Sequence, residues 1–178
     1  MGDYSHIAEI RATRGFSLLE LLVTIAVAAI LLAVAIPSYR SVVQRNAMAA
    51  TVNDLVGDLN YARSQAVTRG QDVFVCSSNN QLNCNGGKDW STGWVIYAAV
   101  DPSENSPTPT KDNRLRVHGP VGAGFQISAG GGSLSFNSSG FAMSGDTFTA
   151  KGNDVGQVTQ VRVAVTGRVE IVRRADDS

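Results

Sequence analysis

The chain has 178 residues, enough for one domain and an appendage. Its 15 basic and 15 acidic residues cancel, so it has no bulk attraction for nucleic acid or anionic lipid, and any such binding needs a local cluster. Eighteen glycines and 7% aromatics suit a β-rich domain with many turns better than a helical bundle.

Residues 1–15 are short, polar and mixed in charge, ending in Arg14-Gly15. From Phe16 to Ile36 the chain is almost wholly apolar, broken only by Ser17, Glu20 and Thr24. That is about the ~20 residues a helix needs to cross a bilayer core. Arg11 and Arg14 assign the N-terminal side to the cytoplasm and the remainder to export. A secretory signal peptide is the competing reading, with Ala33-Val34-Ala35 as a small-residue cleavage site. The length of the apolar run and the presence of Glu20 argue against it.

A carboxylate inside an apolar span costs several kcal/mol unless it is paired or protonated, which marks Glu20 as a functional candidate. Cutting the chain between Gly15 and Phe16 would create an α-ammonium four residues before Glu20. In a packed assembly, the ammonium of one subunit could pair with Glu20 of a neighbour. A protonated glutamate tolerated near the membrane interface is the alternative.

The run Arg14-Gly15-Phe16-Ser17-Leu18-Leu19-Glu20-Leu21-Leu22-Val23 closely resembles the signal of type IV pilins and pseudopilins. The resemblance implies cleavage after Gly15 and methylation of the new N-terminus, Phe16, by a prepilin peptidase. It also implies that Glu20 guides subunit docking. Pro37 matches the family's helix-kinking proline at the end of the apolar stretch.

Beyond Pro37, Val42, Val43, Met48, Val52, Leu55, Leu59 and Ala62 recur at three- and four-residue steps. Arg40, Arg45, Asp54, Asp58 and Arg63 lie between them. This is an amphipathic helix, with Gly70 as its stop. The expectation is one helix over 16–68, kinked near Pro37, with residues 38–70 forming its amphipathic half. Residues 71–178 read as a β-rich globular domain. Short segments rich in Val, Ile or aromatics at 72–77, 93–98, 114–118, 123–128, 133–136, 147–150, 159–165 and 169–173 predict strands. The Pro-rich stretch 101–113 and the Gly/Ser-rich stretch 138–146 predict loops.

Cys76 and Cys84 have no nearby histidine cluster and read as a short disulfide-closed loop, which would place the domain in an oxidising compartment. A free buried thiol pair is the alternative. Trp90 and Trp94 read as core and rim aromatics around a Gly93 turn. His118 stands alone at a strand end. No catalytic or metal-binding spacing and no phosphate loop is present, so no enzyme activity, cofactor or metal is expected.

The segments Tyr61-Ala62-Arg63-Ser64-Gln65-Ala66, Val75-Cys76-Ser77-Ser78, Cys84 and Asp89-Trp90-Ser91-Thr92-Gly93-Trp94-Val95-Ile96-Tyr97 narrow the resemblance to the GspH/FimT-type minor pilins. The fold so implied is α+β and pilin-like: a long N-terminal helix, half transmembrane and half amphipathic, on a β-rich domain. The implied role is initiation and tip assembly of a type IV pilus. A minor pseudopilin of a type II secretion system is the alternative. Implied partners are other major and minor pilins, the prepilin peptidase and an inner-membrane assembly platform. The implied location is a single-pass inner-membrane protein with a periplasmic domain, which joins the pilus on assembly.

At the C-terminus, Val161, Val163, Val165, Val169 and Ile171 share one face of an antiparallel hairpin if the loop is Thr166-Gly167-Arg168. Arg168 would then stand at the tip, with Arg173 and Arg174 following, opposed by Glu170, Asp176 and Asp177. Some FimT-type members bind DNA through a C-terminal Gly-Arg-any-Arg motif. Gly167-Arg168-Val169 matches it, but Glu170 occupies the second arginine's position. Gly167, Arg168, Arg173 and Arg174 are therefore candidate contacts for double-stranded DNA.

Mass spectrometry of membrane-extracted protein is expected to find a chain that begins at methylated Phe16. A bulky residue at Gly15 should leave the precursor uncut. A chain that starts after Ala35, or an intact leader in the wild type, would overturn the pilin reading.

Overall fold

The structure is a computed structural model that describes residues 15–100, 108–152 and 157–175; for 36–38, 40, 157 and 173–175 it describes the backbone alone. The chain divides into a unit ending at Arg40 and a unit beginning at Ser41.

Helix α1 spans Leu18–Arg69. Ser17 caps its start: the Glu20 N–H donates to Ser17 Oγ at 3.2 Å, the Ser-x-x-Glu pattern of a capping box. Gly70 ends the helix at φ 65°, and the Gln71 N–H donates back to Ala66 O, which satisfies a carbonyl that would otherwise be orphaned. The 18-residue window Leu18–Ala35 has a mean hydropathy of 2.7 and none of it is buried. Backbone helix continues through Pro37.

In the second unit α1 turns one stripe inward, and Met48, Val52, Leu55, Leu59, Ala62 and Ala66 are all buried. Eight strands follow: β1 Val73–Ser77, β2 Trp94–Ala98, β3 Arg114–His118, β4 Phe125–Ser128, β5 Ser133–Phe136, β6 Asp146–Gly152, β7 Gln157–Val163 and β8 Val169–Ala175. They form two antiparallel four-stranded sheets, ordered β3-β2-β1-β5 and β4-β6-β7-β8. Inward residues of both sheets share one core with the helix stripe: Val73, Val75 and Ile96 from the first sheet, Ile127, Phe148 and Val161 from the second. Trp90 and Phe148 meet edge to face, with ring centroids 4.8 Å apart.

Both tryptophans are fully buried, so neither is a rim residue. Trp90 Nε1 donates to Gly131 O, which lets a polar ring edge sit inside the core. Gly93 turns the chain at φ 108°, and a Cβ there would collide with the His118 carbonyl oxygen.

Cys76 and Cys84 are joined by a disulfide, with Cα atoms 5.5 Å apart. Cys76 belongs to a second, smaller buried cluster with Val95 and Tyr97, against which Phe74 packs. The Tyr97 hydroxyl lies 3.5 Å from Cys84 Sγ. The loop is fastened from outside by Arg114, whose Nη1 donates to Gln81 O at 2.9 Å.

The C-terminal hairpin keeps the expected face but slides along it. Val163 pairs with Val169 and Val161 with Ile171. The turn is Val165-Thr166-Gly167: the Gly167 N–H donates to Ala164 O, and the Ala164 N–H to Arg168 O. Gly167 sits at φ 77°, as the left-handed closing residue of a three-residue hairpin loop requires. Glycine at that position fixes the turn one residue earlier than the valine pattern suggests. Val165 therefore leaves the apolar face and is 60% exposed. Arg168 stands beside the tip rather than on it.

The turn is also docked. A Cβ on Gly167 would strike the Gly140 carbonyl oxygen, and the Arg63 Nε of α1 donates to that same oxygen at 2.9 Å. Gly167→Ala should therefore lower stability by about 2 kcal/mol or more, through a strained φ and a backbone clash together. Arg168→Glu should stay within about 0.5 kcal/mol of wild type, because its side chain is exposed. Chemical denaturation followed by tryptophan fluorescence would compare the two.

Candidate functional site

Three places carry the residues singled out in the sequence. At the first, Gly15, Phe16 and Ser17 precede α1, and Phe16 is 78% exposed. Glu20 occupies the first helical turn, where the uncompensated N–H groups and the helix dipole favour a carboxylate. The first turn thus fixes Glu20 close to Phe16 in sequence and beside the Ser17 cap. Among the described residues, every large apolar side chain from Leu18 to Val34 is more than half exposed. For Pro37 only the helical backbone is described.

The second place is the hairpin. Glu170 sits between two arginines: the Arg162 Nη1 and Arg168 Nε each lie 3.7 Å from one of its carboxylate oxygens. Arg162 of β7 and Glu170 of β8 are directly opposed, and Arg168 just precedes β8. The cluster keeps one net positive charge, so Glu170 offsets Arg168 as well as replacing the second arginine of the motif. Gly167 serves the turn and its docking. Arg173 and Arg174 belong to β8, opposite Thr159 and Val158, and their side chains lie outside the described residues. Asp176 and Asp177 also lie outside.

The third place was not legible as a group in the sequence. Asp58, 5% exposed on α1, accepts from Arg116 Nη1 and from Trp94 Nε1, each at 2.8 Å; His118 Nδ1 is 3.3 Å away. The His118 ring stacks on Trp94 at 3.9 Å with 7° between planes, and the Arg116 guanidinium lies 3.8 Å over the Tyr61 ring. His118 is therefore not alone: it closes a polar tie between α1, β2 and β3. Asp58 is three residues from Leu55 and four from Ala62, one helical turn in either direction, so it shares their buried face. That spacing was the only available signal, and alternation of charge and apolar residues disguised it. Burial opposes ionisation of Asp58, but hydrogen bonds from His118, Arg116 and Trp94 outweigh it and hold the carboxyl below its usual range. The arrangement fastens helix to sheet.

The family model described as type II transport protein GspH matches residues 51–167. The chain belongs to the GspH family. A prokaryotic N-terminal methylation motif covers residues 10–36. Two fimbrial proteins of Pseudomonas aeruginosa are 26% and 33% identical over 104 residues, 58% of this chain. The chain spans 63% of the length of these curated relatives.

Among solved structures, the type IV minor pilin FimU of Pseudomonas aeruginosa matches with a TM-score of 0.57 and 22% identity, over 75% of this chain and 96% of that one. The minor pseudopilin EpsH of the Vibrio cholerae type 2 secretion system matches with a TM-score of 0.51 and 14% identity, over 70% and 94%. Both are likenesses of fold: this GspH-family chain is pilin-like α+β, a long apolar N-terminal helix followed by antiparallel sheets. The family is structural rather than enzymatic.

Because the folded-state carboxyl of Asp58 is held low, its stabilisation is present above about pH 4 and is lost as pH falls through the folded pKa. Asp58→Asn should cost about 2 kcal/mol at neutral pH and flatten the loss of stability in acid. Denaturation midpoints from neutral pH down to about pH 3 would check both.

Proposed function

We propose that this chain is a minor pilin, a low-copy subunit that helps start or cap a type IV pilus. The observation that carries the reading is the start of α1: one carboxylate, Glu20, just after Gly15-Phe16, on an apolar helical span with nothing buried. A methylation motif over the same residues supports it. A prepilin peptidase cuts after Gly15 and methylates Phe16. The span holds the subunit in the inner membrane, with its disulfide-bearing domain on the periplasmic side. An assembly platform then passes it to other pilins, and the Phe16 ammonium of one subunit meets Glu20 of the next.

The likeness to FimU and to fimbrial relatives favours a pilus. The description of the matching family model and the likeness to EpsH favour the second reading, a pseudopilin of a type II secretion system. Loss of surface pili on deletion supports the first, and loss of enzyme export with pili intact supports the second. Non-specific DNA binding through Gly167, Arg168, Arg173 and Arg174 is a third reading, favoured by the net positive charge that the Arg162–Arg168–Glu170 cluster keeps and tested by titrating labelled duplex DNA at low salt with wild type and Arg168→Glu.

Glu20→Ala is expected to preserve membrane insertion, because it removes a polar group from an apolar span. It should drop the subunit out of sheared filaments. Blotting membrane and sheared fractions reads both. Undiminished recovery of the variant in filaments would remove Glu20 from the docking step.

A further inference from the structure

Asn85-Gly86 is the only Asn-Gly pair in the chain. It follows directly after Cys84 of the disulfide, and both residues are exposed. In such a pair the missing Cβ leaves the glycine nitrogen sterically open to the asparagine side chain. This fold adds a particular setting for the amide oxygen. The Gly87 N–H donates to Asn85 Oδ1 at 3.0 Å, and the Ser77 hydroxyl lies 2.5 Å from the same atom. A backbone N–H can only donate, which fixes the oxygen end of the amide.

The Ser77 hydroxyl has one hydrogen for two carbonyl oxygens, Asn85 Oδ1 at 2.5 Å and Gly87 O at 2.6 Å, and can turn it wholly to Oδ1 as negative charge develops there. Ser77 is fully buried at the end of β1, its N–H donating to Gly132 O and its carbonyl accepting from the Asn85 N–H, each at 3.0 Å. Both donors are thus held in place before any reaction. They stand where negative charge grows when a nucleophile adds to the amide carbon, as in an oxyanion hole. The bond to Gly87 folds the Asn85 side chain back over the intervening Gly86 peptide, which supplies the nucleophile.

We propose that Asn85 is a self-modifying site that deamidates in the folded protein, with Ser77 Oγ and the Gly87 N–H stabilising the addition step. The Gly86 nitrogen gives its proton to solvent base and bonds to Asn85 Cγ. Nδ2 takes a proton from solvent, the Cγ–Nδ2 bond breaks and ammonia leaves, giving a five-membered succinimide. Water then opens either carbonyl to give aspartate or isoaspartate at position 85. The net change is amide plus water to carboxylate plus ammonium, with no oxidant and no cofactor. Each event adds a negative charge beside Cys84. The isoaspartate form also lengthens the main chain by one methylene. Gly86 has no slack to absorb it, since even a Cβ on the facing Gly132 would collide with its backbone. Modification therefore alters the disulfide loop while leaving the main core alone.

The test is peptide mapping of the full-length protein in detergent, incubated in heavy-oxygen water at physiological pH and temperature. A sample unfolded in urea runs beside it. Label should enter at Asn85 ahead of Asn80, Asn83 and Asn137, and faster in the folded than in the unfolded chain. Ser77→Ala should slow the folded rate about fivefold, the equivalent of one ordinary hydrogen bond, and leave the unfolded rate unchanged. Faster conversion in the unfolded wild-type chain overturns the proposal and needs no variant to be interpreted. An unchanged folded rate in a Ser77→Ala protein with native tryptophan fluorescence also overturns it.

Discussion

The first 18 residues of α1, Leu18–Ala35, start at the Ser17 cap and bury no side chain against the described residues, and the rest of the protein must be understood around that uncovered surface. At about 25 cal/mol per Å², an exposed run of leucines, isoleucines and valines is a large free-energy deficit in water. Lipid, or other apolar helices packed against it, would remove that deficit. The same helix solves its second half differently. Below Arg40 every third or fourth residue is apolar, and these positions bury themselves against two sheets of the same chain. One continuous backbone thus carries two kinds of surface, one for surroundings of the same polarity as itself and one for its own domain.

The buried stripe explains why a charged residue can sit in it. Asp58 faces the core because its neighbours one turn away do, and an unpaired carboxylate there would cost several kcal/mol. Trp94, Arg116 and His118 all converge on it, from two adjacent strands of one sheet. Gly93 contributes by letting the turn before β2 approach the end of β3 closely. The polar tie is specific where the surrounding apolar contacts are permissive: leucine against valine tolerates sliding, but two donors on one carboxylate set the position of the helix on the sheet. Arg63, one and a half turns further along, does the same for the second sheet through Gly140 and the turn at Gly167.

Glycines act as spacers in this design. Gly167 and Gly140 let two turns touch through their backbones, and Gly132 lets the disulfide loop rest against the start of β5. A sequence motif that begins with Gly-Arg therefore has a packing explanation for its glycine. The arginine beside it shares a glutamate with Arg162, an exposed arrangement that tunes surface charge more than it anchors the fold.

Much of this was determined by the sequence itself, because it depends on local order along the chain. The apolar span, its lone carboxylate, the change to a three-and-four spacing beyond Pro37, the glycine stop and eight short β segments are all periodic or punctuated patterns, and a helix or strand reads such patterns directly. The Cys76–Cys84 loop belongs with them, since eight residues in a turn can bring two sulfurs together with little help from elsewhere. Only the tertiary structure decided which strands share a sheet, the two-residue slide of the last hairpin, and the company kept by His118. The slide follows from Gly167 needing a positive φ and a docking place on Gly140, and that place comes from a different part of the chain. The Asp58 group joins residues up to 60 positions apart, and the Ser77 hydroxyl meets Gly132 O from 55 positions away. Contacts of that kind have no period along the sequence. They are set by packing, where volume and hydrogen-bond satisfaction choose among arrangements that local patterns leave equally open.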